Sequence, residues 1–173
     1  MWMRLLNFVG YQALWFALVV GAARGTIGPA IVAAVLFIAI QIVFGTERLN
    51  DLRRLIVAVV LGMFVDGVPS LLGWWHYATP SPAWPSGGAP LWILALWACF
   101  STTIGRSLQF VEQAPWLGAL LGAIGGPLAY LAAAHGWGAV AFGVDPFIYI
   151  AWLGTAWAAA IPLLARACRS AVP

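Results

Sequence analysis

Residues 55–75 read LIVAVVLGMFVDGVPSLLGWW, and Asp66 is the only charged residue in this stretch. The hydrocarbon core of a bilayer is about 30 Å thick, and a helix of about 20 apolar residues crosses it. The length and composition of the stretch therefore predict a membrane-spanning helix. Asp66 and Pro69 give this helix a polar site near its middle, because proline leaves the carbonyl of Val65 without its helical hydrogen bond.

Apolar runs of similar length recur along the whole chain, separated by polar, glycine-rich or proline-rich segments. The first run resembles a cleavable signal peptide, but Asn7 and Gln12 interrupt it, so we interpret it as a retained helix. The pattern predicts an all-α polytopic membrane protein, with residues 1–173 forming a single domain of six transmembrane helices. The expected spans are 5–23, 28–45, 55–75, 91–110, 116–134 and 147–165.

The composition excludes a soluble domain. Only 8% of the residues are charged and 64% are hydrophobic, whereas soluble domains carry about a quarter of their residues as charges. Eleven tryptophans suit a protein that anchors itself at two membrane interfaces, and several of them flank the loop 76–90, which we expect to be irregular. The net charge of +3 gives no reason to expect a nucleic-acid partner.

The arginines predict the orientation of the helices, because cytoplasmic loops carry an excess of basic residues. With six spans, only Arg24 falls outside, so both termini are expected in the cytoplasm. The chain has no lysine and is rich in alanine, glycine and tryptophan, which suggests a GC-rich bacterial genome as its source. The arginines assigned to the cytoplasmic side are Arg4, Arg48, Arg53, Arg54, Arg106, Arg166 and Arg169.

Asp66 and Arg106 are the charged residues expected inside the membrane. A charge at this depth costs about 2.5–3.5 kcal/mol on insertion scales, so it usually has a partner and often a function. Regular helices would place the two residues about 8 Å apart along the membrane normal, a gap that a guanidinium nearly closes. They could form a structural pair, share a catalytic or proton-carrying role, or act separately with Asp66 protonated and Arg106 reaching the interface.

Other polar residues in the expected spans are candidate substrate-binding groups: Asn7, Gln12, Thr102, Thr103 and Tyr130. Such side chains are also common as hydrogen bonds between membrane helices. The run Gly125-Gly126-Pro127 could interrupt the fifth span or form a simple packing kink. We expect these groups to meet in a centre made of spans one, three, four and five, with spans two and six as lipid-facing scaffold.

The sequence contains no motif for a nucleotide, a metal or a known nucleophile. Cys99 and Cys168 lack the spacing of metal ligands and are not expected to form a disulfide. His76 and His135 would both lie at the outer boundary without further ligands. We therefore expect no cofactor and no metal.

A longer pattern resembles a known family. It combines Asn7 and Gln12 in the first span, Gly62 and Asp66 in the third, Leu96-Trp97 in the fourth and GAIGGPLAY at residues 122–130. These motifs are similar to those of the bacterial inner-membrane proteins grouped as domain of unknown function 2878, over nearly the whole chain. The family usually has an Asn-His pair at Gly105-Arg106, so no histidine role carries over. Its association with fatty-acid-modifying genes implies a connection to lipid metabolism.

The leading hypothesis is a membrane protein whose polar cluster around Asp66 binds or modifies a lipid or another apolar substrate. If the protein is an enzyme, Asp66 is the acid or base, Arg106 is its partner and the amides orient the substrate. The first alternative is a small proton-coupled transporter or flippase gated at 125–127. The second is a structural subunit of a membrane complex. Expected partners are membrane lipids, with a homodimer or another membrane protein as further options.

Overall fold

The computed structural model describes residues 2–167. Cys168 and Arg169, for which a free thiol and a cytoplasmic charge were expected, lie outside this range. The helices are α1 (Trp2–Ala23), α2 (Gly28–Val43), α3 (Arg48–Val65), α4 (Gly67–Leu71), α5 (Leu91–Ile104), α6 (Phe110–Gln113), α7 (Pro115–Trp137) and α8 (Pro146–Arg166). The strands are β1 (Trp75–Tyr77), β2 (Ala83–Trp84), β3 (Ala89–Pro90) and β4 (Val140–Phe142).

Within residues 2–167, four helical stretches are long and apolar enough to cross a membrane. They are α1, α3 together with α4, α7 and α8, with 21 to 24 residues each. The two remaining expected spans correspond to α2 and α5, which have only 16 and 14 residues. The outer surface fits a lipid environment, since large apolar side chains such as Phe64 and Leu128 are well over half exposed.

The all-α prediction missed the short strands. β1 pairs antiparallel with β4, with Trp75 opposite Phe142 and Tyr77 opposite Val140. β2 and β3 form a second antiparallel pair within the loop that was expected to be irregular. Together they cover one end of the helix bundle and carry Trp75 and Tyr77 back into its interior, where both are buried.

α5 is the centre of the fold. It packs against α1, α2, α3 and α8, and most of its residues are buried. It ends at Ile104, earlier than expected, and the chain turns at Gly105, where a Cβ atom would collide with the guanidinium of Arg54. Arg106 therefore lies in a turn after the helix and not within a membrane-spanning helix.

α8 is part of the core, so the expectation that the sixth span serves as lipid-facing scaffold was wrong. α7 and α8 pack side by side over most of their length. A Cβ atom at Gly122 would collide with the backbone of Trp157, and one at Gly126 would lie 2.5 Å from its ring, so only glycine allows this approach. The possible break at 125–127 is also absent, because α7 continues through Pro127.

Candidate functional site

Asp66 lies between α3 and α4 and is completely buried. Its Oδ2 accepts a hydrogen bond of 2.6 Å from Trp97 Nε1, and its Oδ1 accepts one of 3.2 Å from the Tyr77 hydroxyl. Asp66 does not pair with Arg106, which was one of the three arrangements considered for these residues, because both carboxylate oxygens have aromatic donors as partners. We call Asp66, Trp75, Tyr77, Trp97 and Tyr130 the Asp66 cluster.

Tyr77 connects the members of this cluster. Its oxygen accepts a hydrogen bond of 2.9 Å from Trp75 Nε1 and lies 3.4 Å from the hydroxyl oxygen of Tyr130. Burial and the nearby Asp66 carboxylate raise the pKa of Tyr77 well above its usual value, so the hydroxyl keeps its proton. A tyrosine has one hydroxyl proton to donate, and Tyr77 gives it to Asp66. Tyr130 must then be the donor in its contact with Tyr77.

The carbonyl that Pro69 frees is also satisfied. Trp152 of α8 donates its Nε1–H to the Val65 oxygen at 2.9 Å. The acceptor expected beside Asp66 is therefore occupied by a side chain from another helix. This bond and the stacked rings described below are the contributions of α8 to the site.

Arg106 belongs to a separate group of charges, which we call the charge cluster: Asp51, Arg54, Arg106 and Glu112. Arg106 holds the Asp51 carboxylate with contacts of 2.7 and 3.2 Å, and Arg54 bonds Glu112 at 2.7 Å. Asp51 precedes Asp66 by fifteen residues in α3, which corresponds to about 22 Å along the helix. The charge cluster therefore ties the start of α3 to the turn after α5, far from Asp66.

The polar residues predicted in α1 and α5 have different environments. Asn7 is buried and donates to Thr102 Oγ1 at 3.3 Å, while Ser107 donates to Asn7 Oδ1 at 2.8 Å. Thr102 and Thr103 donate their hydroxyl protons to carbonyls of their own helix. Asn7 and Thr102 thus hold α1 against α5, whereas Thr103 is bound within α5. Gln12, in contrast, is exposed on the surface of α1.

A mostly apolar cavity of about 60 Å³ adjoins the Asp66 cluster. Trp97 and Tyr130 form part of its wall, together with Tyr11, Trp15 and Trp157. Asp66 itself is not among the lining residues. The carboxylate therefore contacts the cavity only through the two rings that belong to its hydrogen-bond network.

A groove of about 420 Å³ between α1 and α7, which we call the α1–α7 groove, adjoins the cavity. Tyr11, Trp15, Ala129 and Trp157 line both spaces. The groove opens to the outer surface, since Phe16, Leu121 and Leu128 on its edges are 47%, 44% and 59% exposed. Gln12 and Gly125 also line it, and a Cβ atom at Gly125 would meet no other atom within 4 Å.

Two stacked tryptophans border these spaces: Trp97 lines the cavity, and Trp157 lines both the cavity and the groove. The rings of Trp97 and Trp157 lie 4.4 Å apart and nearly parallel. Trp97 uses its indole N–H for Asp66, whereas the buried Nε1 of Trp157 has no hydrogen-bond partner in the described part of the chain. The pair therefore combines one satisfied and one unsatisfied donor in the same environment.

The sequence model of a family described as protein of unknown function, DUF2878, matches residues 4–163. The chain belongs to the DUF2878 family. The resemblance inferred from the residues is thereby confirmed over nearly the whole length. No curated protein and no solved structure matches the chain. The site of this DUF2878 protein is therefore interpreted from its own geometry.

Metal binding finds no support in the described residues of the DUF2878 protein. Across residues 2–167, no group of three or more histidine, cysteine or acidic side chains comes together. His76 lies in β1 and His135 near the end of α7, where its ring nitrogen bonds the Leu131 carbonyl. Cys99 is buried as a free thiol.

Several residues of the site were not identified from the sequence of this DUF2878 protein: Asp51, Trp75, Tyr77 and Trp157. Trp97 was noted only as part of the family pattern. A usable signal existed for Trp97, because an indole N–H is a donor that must find an acceptor when buried. Tyr77 carried no such signal, since its place next to Asp66 depends on the pairing of β1 with β4.

Proposed function

We propose that this protein is a multi-pass membrane protein that binds the acyl chain of a lipid in the α1–α7 groove. In this proposal α2 and α5 also cross the membrane, which gives one domain of six spans with both termini in the cytoplasm of a bacterium. The clustering of Arg4, Arg54 and Arg106 at one end of the bundle supports this orientation. We refer to that end as the arginine end.

One observation carries the proposal: a mostly apolar groove, open at a lipid-exposed surface, shares part of its wall with an apolar cavity lined by Trp97 and Tyr130. Ligand sites are typically concave and mostly apolar, with a few polar groups that fix orientation. The medium around a membrane-spanning helix is acyl chains, so the groove edge formed by Leu121 and Leu128 faces the proposed ligand directly. The polar groups available to the ligand are Tyr11 and Gln12.

Asp66 acts as a positioning residue in this proposal. Its two oxygens fix Trp97 and Tyr77, and Tyr77 in turn fixes Tyr130 through the contact between their hydroxyl groups. The rings of Trp97 and Tyr130 then keep the cavity wall in place. Binding is favoured over acid-base chemistry, because the carboxylate is enclosed by its donors and does not line the cavity.

The binding site can be tested by photolabelling the purified protein in nanodiscs. The probe is a phospholipid with a diazirine at the end of one palmitoyl chain, and labelled peptides are mapped by mass spectrometry. We expect the label to concentrate on the residues of α1 and α7 that face the groove. A uniform distribution over all lipid-exposed faces would contradict the proposal.

A matched pair of variants sharpens this test. Gly125→Leu places a side chain in the groove, where space is open around the Cβ position. Gly136→Leu makes the same change later in α7, also without contacts within 4 Å, but outside the groove. We expect only Gly125→Leu to reduce groove labelling to the level of other lipid-facing surfaces. Equal labelling of the two variants would refute the proposed site.

A further inference from the structure

The face of α1 that lines the α1–α7 groove continues toward the arginine end. Tyr11 and Trp15 line the groove, and Phe8 and Arg4 follow at one-turn intervals along the same face. Phe8 and Arg4 border a surface depression that shares Leu108 with the groove. The depression therefore adjoins the groove at Leu108, on the side of the groove toward Arg4.

The stretch of α1 from Val19 to Phe8 is about as long as one leaflet of the hydrocarbon core is thick. From Val19, which lines the cavity, to Phe8 there are eleven residues, or about 16 Å of helix. Half of the hydrocarbon core is about 15 Å thick. Arg4 lies one turn further, about 6 Å beyond Phe8, at the level where a lipid headgroup would be.

The opposite end of the groove is closed. The ring of Trp137, at the end of α7, packs edge-on against Trp15 and Phe16 with centroid distances of 5.8 and 5.4 Å. A chain in the groove would therefore have its methyl end near the cavity. Its headgroup would lie at the arginine end.

Arg4 is suited to a phosphate. The carboxylates of the neighbouring charge cluster are bound by other arginines, Asp51 by Arg106 and Glu112 by Arg54. Arg4 Nη2 itself donates to a neutral group, the amide oxygen of Gln109, at 2.7 Å. This bond uses one of the five N–H donors of the guanidinium, and the others can form paired hydrogen bonds with phosphate oxygens.

We infer that the ligand of the α1–α7 groove is a phosphate-bearing lipid and that Arg4 binds its phosphate. The inference rests on the proposed function, since it assigns a headgroup to the lipid whose acyl chain occupies the groove. Gln109 orients the guanidinium, and Arg4 determines which headgroup class is bound. Neutral lipids with the same chains bind the groove more weakly.

Competition against the diazirine lipid tests this assignment in detergent micelles of the full chain. The competitors are dipalmitoyl phosphatidic acid, dipalmitoylglycerol and inorganic phosphate. We expect phosphatidic acid to compete about tenfold better than dipalmitoylglycerol, a difference of 1.4 kcal/mol. Inorganic phosphate should not compete, and displacement by phosphate alone would overturn the assignment to a lipid.

Two charge variants separate the headgroup from general attraction. Arg4→Gln should remove the preference for phosphatidic acid while dipalmitoylglycerol still competes as in the native protein. Arg24→Gln removes the same charge at the opposite end of α1 and should keep the preference. Equal effects of the two variants, or equal competition by the two lipids in the native protein, would overturn the inference. Failure of both lipids to compete would instead refute the groove itself, and with it the headgroup assignment.

Discussion

Replacing each of the two stacked tryptophans by phenylalanine isolates the hydrogen bond to Asp66. Both changes shorten a ring in the same stacked pair, so they remove the same atoms from neighbouring positions. Trp97→Phe also removes the donor to Asp66 Oδ2, whereas Trp157→Phe removes an N–H that has no partner in the described chain. The difference between the two variants therefore measures the bond to the carboxylate.

The expected difference is about 1–3 kcal/mol, the cost of leaving a buried acceptor without its donor. Hydrogen bonds between membrane helices average only about 0.6 kcal/mol, because the unfolded chain also finds partners in the bilayer. The bond to Asp66 should exceed this average, since its length is 2.6 Å and the carboxylate has no exposed surface. Breaking it leaves a buried acceptor unsatisfied, which is more costly than losing a bond near water.

The free energy of unfolding is measured by titrating the protein from mild detergent into a denaturing one and following helix content. Trp97→Phe should be less stable than Trp157→Phe by the stated difference, and Trp157→Phe should lose only the cost of its missing ring atoms. Equal stabilities of the two variants would refute the assigned role of Trp97. A greater loss in Trp157→Phe would show that the packing of that ring on α7 outweighs the bond.

Two further predictions concern packing and charge, and the same titration checks both. Gly122→Ala should destabilise the protein by about 1–3 kcal/mol, because its methyl group collides with the Trp157 backbone, while Gly125→Ala should raise stability by about 0.5–1 kcal/mol. Asp51→Asn should cost about 3 kcal/mol, the lower end of the range for breaking a buried pair, because Arg106 is partly exposed. A neutral Gly122→Ala, or an Asp51→Asn loss below 1 kcal/mol, would contradict these assignments.

The apolar runs predicted the positions of the helices well, because span length depends on local composition alone. The ends of α5 and α3 were less accurate. α5 ends at Ile104, and the guanidinium of Arg54, on another helix, occupies the space beside Gly105. α3 begins at Arg48, because paired charges such as Asp51 and Arg54 stabilise helix outside the apolar run. The contact of Arg54 with Gly105 joins residues far apart in sequence, so no local pattern contains it, whereas Asp51 and Arg54 are only three residues apart and their pairing could be read from the sequence.

The candidate site was harder to predict, as the partner of Asp66 illustrates. Among oppositely charged residues, Arg106 was the one expected near Asp66 along the membrane normal. From the start of α5, Trp97 lies about 9 Å along the helix and Arg106 about 22 Å, while Asp66 was expected at about 14 Å. The same arithmetic would have selected Trp97 if indole N–H groups had been counted as donors. The position of Tyr77 next to Asp66 depends on the pairing of β1 with β4. Strands of three residues are too short to give a recognisable pattern in the sequence.

The separate contacts of α1 and α7 with their neighbours explain why a groove can persist between these two helices. Asn7 joins α1 to α5, and the glycines of α7 hold that helix against Trp157 of α8. The two walls are thus fixed to different neighbours, and the ring of Trp137 joins them at one end. Such walls stay apart without a ligand, so binding would cost little rearrangement of the backbone. A buried aspartate in this arrangement is best understood through the rings it orients, which face the apolar space directly.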